Sequence, residues 1–316
     1  MNVPGGFSSC WIITDGKAGM ESQCLGLAET LGLDPAIMRI RLRTPWRQLA
    51  PHLRLGLGHA FAPPVLAPPW PDLVIATGRQ SVPGSLFVRR CGPRTRTVQI
   101  QNPGISPRHF DLVIAPRHDN LHGANVIETL GALHRVTPGR LEKEARLLAP
   151  RIADLPRPFI GVLIGGANGN CKFGPVEARA LASELARHAA RSGGSLLVTP
   201  SRRTGSENIA ILRAALAGTN AFLWEGLTDN PYFGILGLAD ILLVTADSVN
   251  MVTEGCATGR PVYIYELPGG SQKSARFHQA LTSRGSARLY AGSLDGYTAN
   301  RLDEMEDASR AVLRLA

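Results

Sequence analysis

Apolar residues in this chain fall into short unbroken runs separated by amphipathic stretches, and that alternation sets the first expectation. Residues 9–14, 37–42, 73–77, 97–101 and 112–115 are expected to be strands. Residues 21–31 are instead expected to form a helix, with Leu25, Leu27, Ala28 and Leu31 its apolar members. The stretch 44–71, rich in Pro, Leu and Arg, keeps neither period and is expected to be helical only in part. A charged helical segment after Arg135 then ends in prolines, and a domain boundary is expected there.

The second half starts afresh with strands at 159–164, 195–199, 221–224 and 241–245. Helices are expected at 176–191, 208–217, 232–238 and about 249–258, and a last one at 300–315. Strands alternating with helices of this length imply parallel sheets with right-handed crossovers. The expected fold class is therefore α/β: two doubly wound, Rossmann-like domains facing a cleft. They should occupy residues 1–150 and 151–316, with the last helix packing back on the first domain.

The most telling stretch is 239–267, ADILLVTADSVNMVTEGCATGRPVYIYEL. An apolar strand runs into Ala246, Asp247 and Ser248, which suit the start of a helix, and Gly259 and Pro261 end that helix. Parallel sheets bind ligands beyond the carboxyl ends of their strands, where a helix N-terminus offers free N–H groups to an anion. Ser248, Asn250 and Glu254 therefore sit where a phosphorylated ligand would be held.

Other strand ends add candidates. Gly165, Gly166 and Asn168 follow the first strand of the second half, and glycines there allow close backbone approach. The next strand ends in Ser201, Arg202 and Arg203, suited to bidentate capture of a diphosphate. In the first half, Asp15, Gly16, Lys17 and Gly19 open a helix without the spacing of a Walker loop. Thr77, Gly78 and Arg79 follow another strand there. His118 and Asp119 follow a third, where an acid/base pair would be placed to work. Asp15 is a comparable candidate base.

Composition narrows the classes. With 44% hydrophobic and 19% charged residues the chain of 316 reads as globular, without low-complexity segments. Its start lacks the pattern of a signal peptide, and no stretch approaches the ~18 uninterrupted apolar residues of a spanning helix. Five scattered cysteines show no metal-ligand spacing, so no metal site is expected and a reduced, cytoplasmic compartment fits.

The net charge of +9 is unevenly placed: between Asp34 and Asp111 the only acid is Asp72, against eleven arginines. Arg43, Arg47 and Arg54 are interleaved there with Trp46, Leu49, Leu53, Leu55, Leu57, Phe61 and Trp70. Such a surface suits peripheral contact with anionic lipid at the inner face of a membrane. No helix-turn-helix, zinc-finger or RNA-recognition pattern accompanies the charge, so nucleic acid is not an expected partner.

Six ordered blocks resemble the mitochondrial fission, or elongated-mitochondria, family: residues 8–27, 71–83, 110–119, 131–136, 197–203 and 244–263. The plant member of that family acts at the mitochondrial outer membrane by recruiting a dynamin-like partner. The family in turn resembles the two-domain GT-B glycosyltransferases. That resemblance implies a nucleotide-diphosphate sugar held in the C-terminal domain by Gly165 and Gly166, by Arg202 or Arg203, and by Ser248, Asn250 and Glu254. The loop from Asp15 to Gly19 departs from the glycine-rich, histidine-ending acceptor loop of such enzymes, which leaves Asp15, His118 and Asp119 as alternative bases.

The expected function is metal-independent glycosyl transfer from a nucleotide-diphosphate sugar, with no further cofactor and with a lipid or envelope acceptor. A non-catalytic adaptor on a membrane surface and a nucleotide-sugar epimerase are the alternatives.

Overall fold

The computed structural model describes residues 6–63 and 66–316. Residues 1–5, where the reading of the N-terminus begins, and residues 64–65 of the irregular stretch lie outside the described residues.

The chain divides into two compact units, one formed by Met1–Arg135 with Asp303–Ala316 and the other by Val136–Leu302. In chain order the first unit contains β1 (Cys10–Thr14), α1 (Ala18–Thr30), β2 (Ala36–Arg39), the short α2 (Trp46–Leu49), β3 (Leu73–Thr77) and α3 (Val82–Cys91). It continues with β4 (Arg96–Ile100), β5 (Leu112–Pro116) and β6 (Val126–Thr129). The second unit holds α4 (Pro138–Leu148), β7 (Phe159–Ile164), α5 (Pro175–Ser192), β8 (Ser195–Pro200), α6 (Ser206–Leu216), β9 (Ala221–Leu223) and α7 (Tyr232–Leu238). Then come β10 (Ile241–Thr245), α8 (Val249–Ala257), β11 (Val262–Tyr265), α9 (Gln272–Arg284) and the two-residue β12 (Arg288–Leu289). Finally α10 (Met305–Leu313) belongs to the first unit, where Met305, Ala308 and Val312 join the core that Cys24, Leu27 and Ala28 of α1 build on the sheet.

Each unit is built on a six-stranded parallel sheet, ordered β2-β1-β3-β4-β5-β6 in the first and β12-β11-β10-β7-β8-β9 in the second. Wholly buried strands such as β3, β5, β7 and β8 are apolar on both faces because helices cover both. The α/β reading is thus shown, and the second order is that of a dinucleotide-type sheet that reverses between β7 and β10.

The changeover between units comes at Arg135, with α4 in the second. A Cβ on Gly234 or Gly237 of α7 would lie 2.8 and 2.6 Å from the carbonyl oxygens of Glu144 and Leu141, so small residues let α7 lie directly on α4.

The irregular stretch is less exposed than expected. Leu57 and Phe61 are core residues, and Trp46 and Trp70 pack against the same cluster. Trp46 Nε1 also donates to the Leu55 carbonyl at 2.8 Å. Only Leu49 and Leu55 of the expected apolar surface stand exposed, Leu55 by 80%. No helix among the described residues is long and apolar enough to cross a membrane.

Candidate functional site

The sheet order of the second unit makes the ends of β10, β7 and β8 neighbours, so the loops beginning at Ala246, Gly165 and Ser201 meet. Their centre is Asp247, whose side chain is 0% exposed and pairs with Arg203 Nη2 at 2.8 Å. Its Oδ2 also accepts from the Gly166 amide at 3.1 Å, and its Oδ1 from Thr245 Oγ1 at 2.7 Å. The Gly165 amide donates to Thr245 Oγ1 at 2.8 Å, and Arg203 Nη1 donates to the Gly166 carbonyl at 3.3 Å. Ser201 Oγ donates to the Gly165 carbonyl, as does Thr204 Oγ1 at 2.6 Å. Asn168 Nδ2 reaches the Asp247 carbonyl at 3.2 Å, so every candidate of the first two loops except Arg202 is tied into one network.

This network also accounts for the glycines. A Cβ on Gly165 would lie 2.1 Å from an Asp247 carboxylate oxygen, and one on Gly166 2.3 Å from the Arg203 backbone. The close approach they permit is to the protein's own carboxylate and main chain. Arg202 is exposed, and its guanidinium has no partner among the described residues.

Ser248 is the N-cap of α8, its side chain accepting from the Met251 amide at 3.4 Å. Asn250 lies in the first turn, and Glu254 one turn further on is only 7% exposed. Tyr232 on α7 donates its hydroxyl to Glu254 Oε2 at 2.5 Å. Burial first, and then the Glu254 charge, raise the Tyr232 hydroxyl well above its usual value, so it stays a donor. Glu254 is therefore anchored to α7 by that bond.

The first unit spreads its candidates more widely. The ends of β1 and β3 are neighbours, which places Asp15, Gly16, Lys17 and Gly19 beside Thr77, Gly78 and Arg79. Asp15 Oδ2 pairs with Lys17 Nζ at 2.7 Å. Gly16 and Gly78 have φ of +86° and +77°, and Met20 Sδ would be 2.9 Å from a Cβ on Gly78. Thr77 Oγ1 is buried without a partner. His118 and Asp119 form a short 3-10 turn after β5, with His118 Nε2 3.9 Å from Asp119 Oδ1 and both side chains largely buried. Asp119 Oδ2 accepts from the Asn102 amide at 3.3 Å, joining the loops after β4 and β5. Because β3 and β4 lie between β1 and β5, Asp15 and His118 stand three strand spacings apart, roughly 14 Å at about 4.8 Å each. They do not form one acid/base pair.

Sequence reasoning missed Asp247 as anything but a cap residue, and it missed a cavity beside it. That cavity, of about 280 Å³, lies between the end of β10, the loop after β11 and the first turns of α9. Among the described residues no group of three or more His, Cys, Asp or Glu is placed to hold a metal ion.

Two units of this kind, each built on a six-stranded parallel sheet, give a two-domain α/β fold of GT-B-like class. Within that class the chain belongs to the family described as Mitochondrial fission ELM1, whose sequence profile matches residues 18–316. The Mitochondrial fission protein ELM1 of Arabidopsis thaliana is 31% identical over 270 residues, a match that covers 78% of this chain and 63% of that protein. The chain thus spans just under two thirds of the length of that relative. Among solved structures, the UDP-GlcNAc 2-epimerase of Methanocaldococcus jannaschii superposes with a TM-score of 0.57 at 12% identity, covering 97% of this chain and 99% of that one. The UDP-GlcNAc 2-epimerase of Neisseria meningitidis, bound to UDP-GlcNAc, has a TM-score of 0.51 at 13% identity, covering 97% and 90%. These likenesses are of fold, and the fold is one that sugar-nucleotide enzymes use.

Proposed function

We propose that the second unit binds a nucleoside-diphosphate sugar and that the protein transfers the sugar to an acceptor hydroxyl. The observation that carries this reading is the meeting of three loops where the sheet order reverses. They bring together an unpaired arginine and the N-terminus of α8. That combination suits a diphosphate: Arg202 offers a bidentate fork, and the first-turn amides of α8 offer N–H groups and a dipole end. The same groups would stabilise the diphosphate as it departs. Glu254, held by Tyr232, is the carboxylate assigned to the ribose hydroxyls. Asp15 and the His118–Asp119 pair are separate candidates for the acceptor's base, and their distance in the sheet makes them alternatives.

Isothermal calorimetry with UDP, GDP and ADP and their hexose derivatives tests the reading. One nucleotide series should bind, and Arg202→Ala should weaken it about tenfold, equivalent to about 1.4 kcal/mol. Glu254→Gln should weaken the nucleoside diphosphate but not inorganic diphosphate. Absence of binding in every series, or binding that Arg202→Ala leaves untouched, overturns the proposal.

A further inference from the structure

Tyr232 is the first residue of α7, and Glu254 lies in the second turn of α8. Each helix follows a strand of the same parallel sheet, so both begin at its carboxyl edge. Asn250 and Glu254 are one i, i+4 pair on α8 and share a face of it. Side chains of a helix lean toward its N-terminus, which carries the Glu254 carboxylate up toward Asn250 and that edge. Asn230, in the loop before α7, fixes Tyr232 from the other side. Its Oδ1 accepts from the Tyr232 amide at 3.1 Å and from Thr199 Oγ1, at the end of β8, at 3.2 Å. A line of hydrogen bonds thus runs from the end of β8 through Asn230 and Tyr232 to Glu254 on α8.

A phenol has one hydrogen to give, and Tyr232 gives it to Glu254 Oε2 at 2.5 Å, within the range of the strong O–H···O⁻ bonds. An ionised carboxylate only accepts hydrogen bonds, at about four lone-pair positions, so what it recognises in a ligand is a donor. A phosphate presents acceptors and negative charge, whereas a vicinal diol presents two hydroxyl hydrogens. At this edge of the sheet Glu254 therefore complements the ribose of a nucleotide and opposes its phosphates. A glutamate side chain is flexible, and ordering it at the moment of binding costs affinity. The bond to Tyr232 orders it beforehand.

We infer that Tyr232 is a positioning residue for ribose recognition, fixing Glu254 so that the second unit favours ribonucleotides over 2′-deoxyribonucleotides. The inference rests on the nucleotide-sugar reading above and adds to it the residue that sets selectivity for the nucleoside's own sugar. Tyr232 and Asn230 act through Glu254 and do not touch the ligand. Asn230 is one step further removed, since it holds the backbone from which Tyr232 projects. The phosphates make no use of this line of bonds, so affinity for diphosphate alone is independent of it.

The test is calorimetry on the full chain with UDP, GDP and ADP, their 2′-deoxy forms and inorganic diphosphate. The wild type should bind the ribonucleotide of its preferred series about tenfold tighter than the 2′-deoxy form, as one hydrogen bond to a charged group provides. Tyr232→Phe keeps the ring and removes the hydroxyl. The preference should then fall to about threefold or less, with the 2′-deoxy form and inorganic diphosphate bound as before. Asn230→Ala, in an exposed loop, should lower the preference in the same direction, and it decides the matter if Tyr232→Phe does not fold. A loss shared equally by the ribo and deoxy forms would make the role merely structural and overturn the inference. A preference that survives in both variants would overturn it too, while the binding itself leaves the nucleotide-sugar reading standing. If no nucleotide binds, that reading fails and the inference falls with it.

Discussion

Asp247 shows how one residue sets the conditions for its neighbours. A fully buried carboxylate costs free energy unless it is paired and hydrogen-bonded, and here Arg203, the Gly166 amide and Thr245 do both. Asp247→Ala leaves the Gly166 amide and the Thr245 hydroxyl without their acceptor, while Arg203, whose side chain is 40% exposed, can turn to water. It is therefore expected to destabilise the second unit by about 1–3 kcal/mol in urea unfolding. Gly165→Ala should cost about 1–3 kcal/mol because its methyl would collide with the same carboxylate. If both variants unfold at the wild-type midpoint, the network does not hold the loops. The glycines were legible as residues needing close approach, yet what they approach was not, because Asp247 lies 81 positions from Gly166 in the chain. The two arginines read as equivalent in the sequence, and only the structure separates the committed Arg203 from the unpaired Arg202.

At the scale of elements, the strands were the most legible parts, since double-sided burial demands apolar runs that survive in the sequence. The start of α8 was equally plain: Ser248 is the expected cap, and Ser248→Ala should lower stability by about 1 kcal/mol in chemical denaturation. An unchanged unfolding midpoint would show that the hydroxyl contributes nothing there. By contrast α3 and α9 were not anticipated. The buried side of α9 consists of Phe277, His278 and Leu281, too little apolar surface to stand out in SQKSARFHQALTSR. Edge strand β6, none of whose first three residues is fully buried, was missed for the same reason. The element that carries His278 was thus the least visible in the sequence, and the cavity stayed invisible with it. The apolar members of the arginine-rich stretch misled in the other direction. Leu57, Phe61 and Trp46 have no period because they fill a core from an irregular loop, so their spacing could not reveal that they were covered.

For the whole molecule, two units with separate cores make stability a property of each, and acid separates what holds them. His188 and His278, both in the second unit, have lowered pKa values. Burial is the main cause for each, and the Arg187 charge adds to it at His188. The unfolded chain, with histidines near their ordinary value of 6.5, then binds more protons than the folded unit in the window just below that pH. The sign follows: stability rises with pH there, is fully present above the unfolded value, and is lost as pH falls toward the depressed folded values. Glu177, whose carboxyl is held below the usual carboxylate range mainly by the Gly174 amide, titrates lower still and does not obscure the window. Trp224 is the only tryptophan of the second unit, so its fluorescence in a variant with Trp11, Trp46 and Trp70 replaced by Phe reports that unit alone. The urea midpoint so measured should fall between about pH 7.5 and pH 5.5, and His188→Gln, which removes one of the two groups, should flatten the slope. A midpoint that holds steady or rises on acidification would mean that the two imidazoles are not kept neutral by the fold.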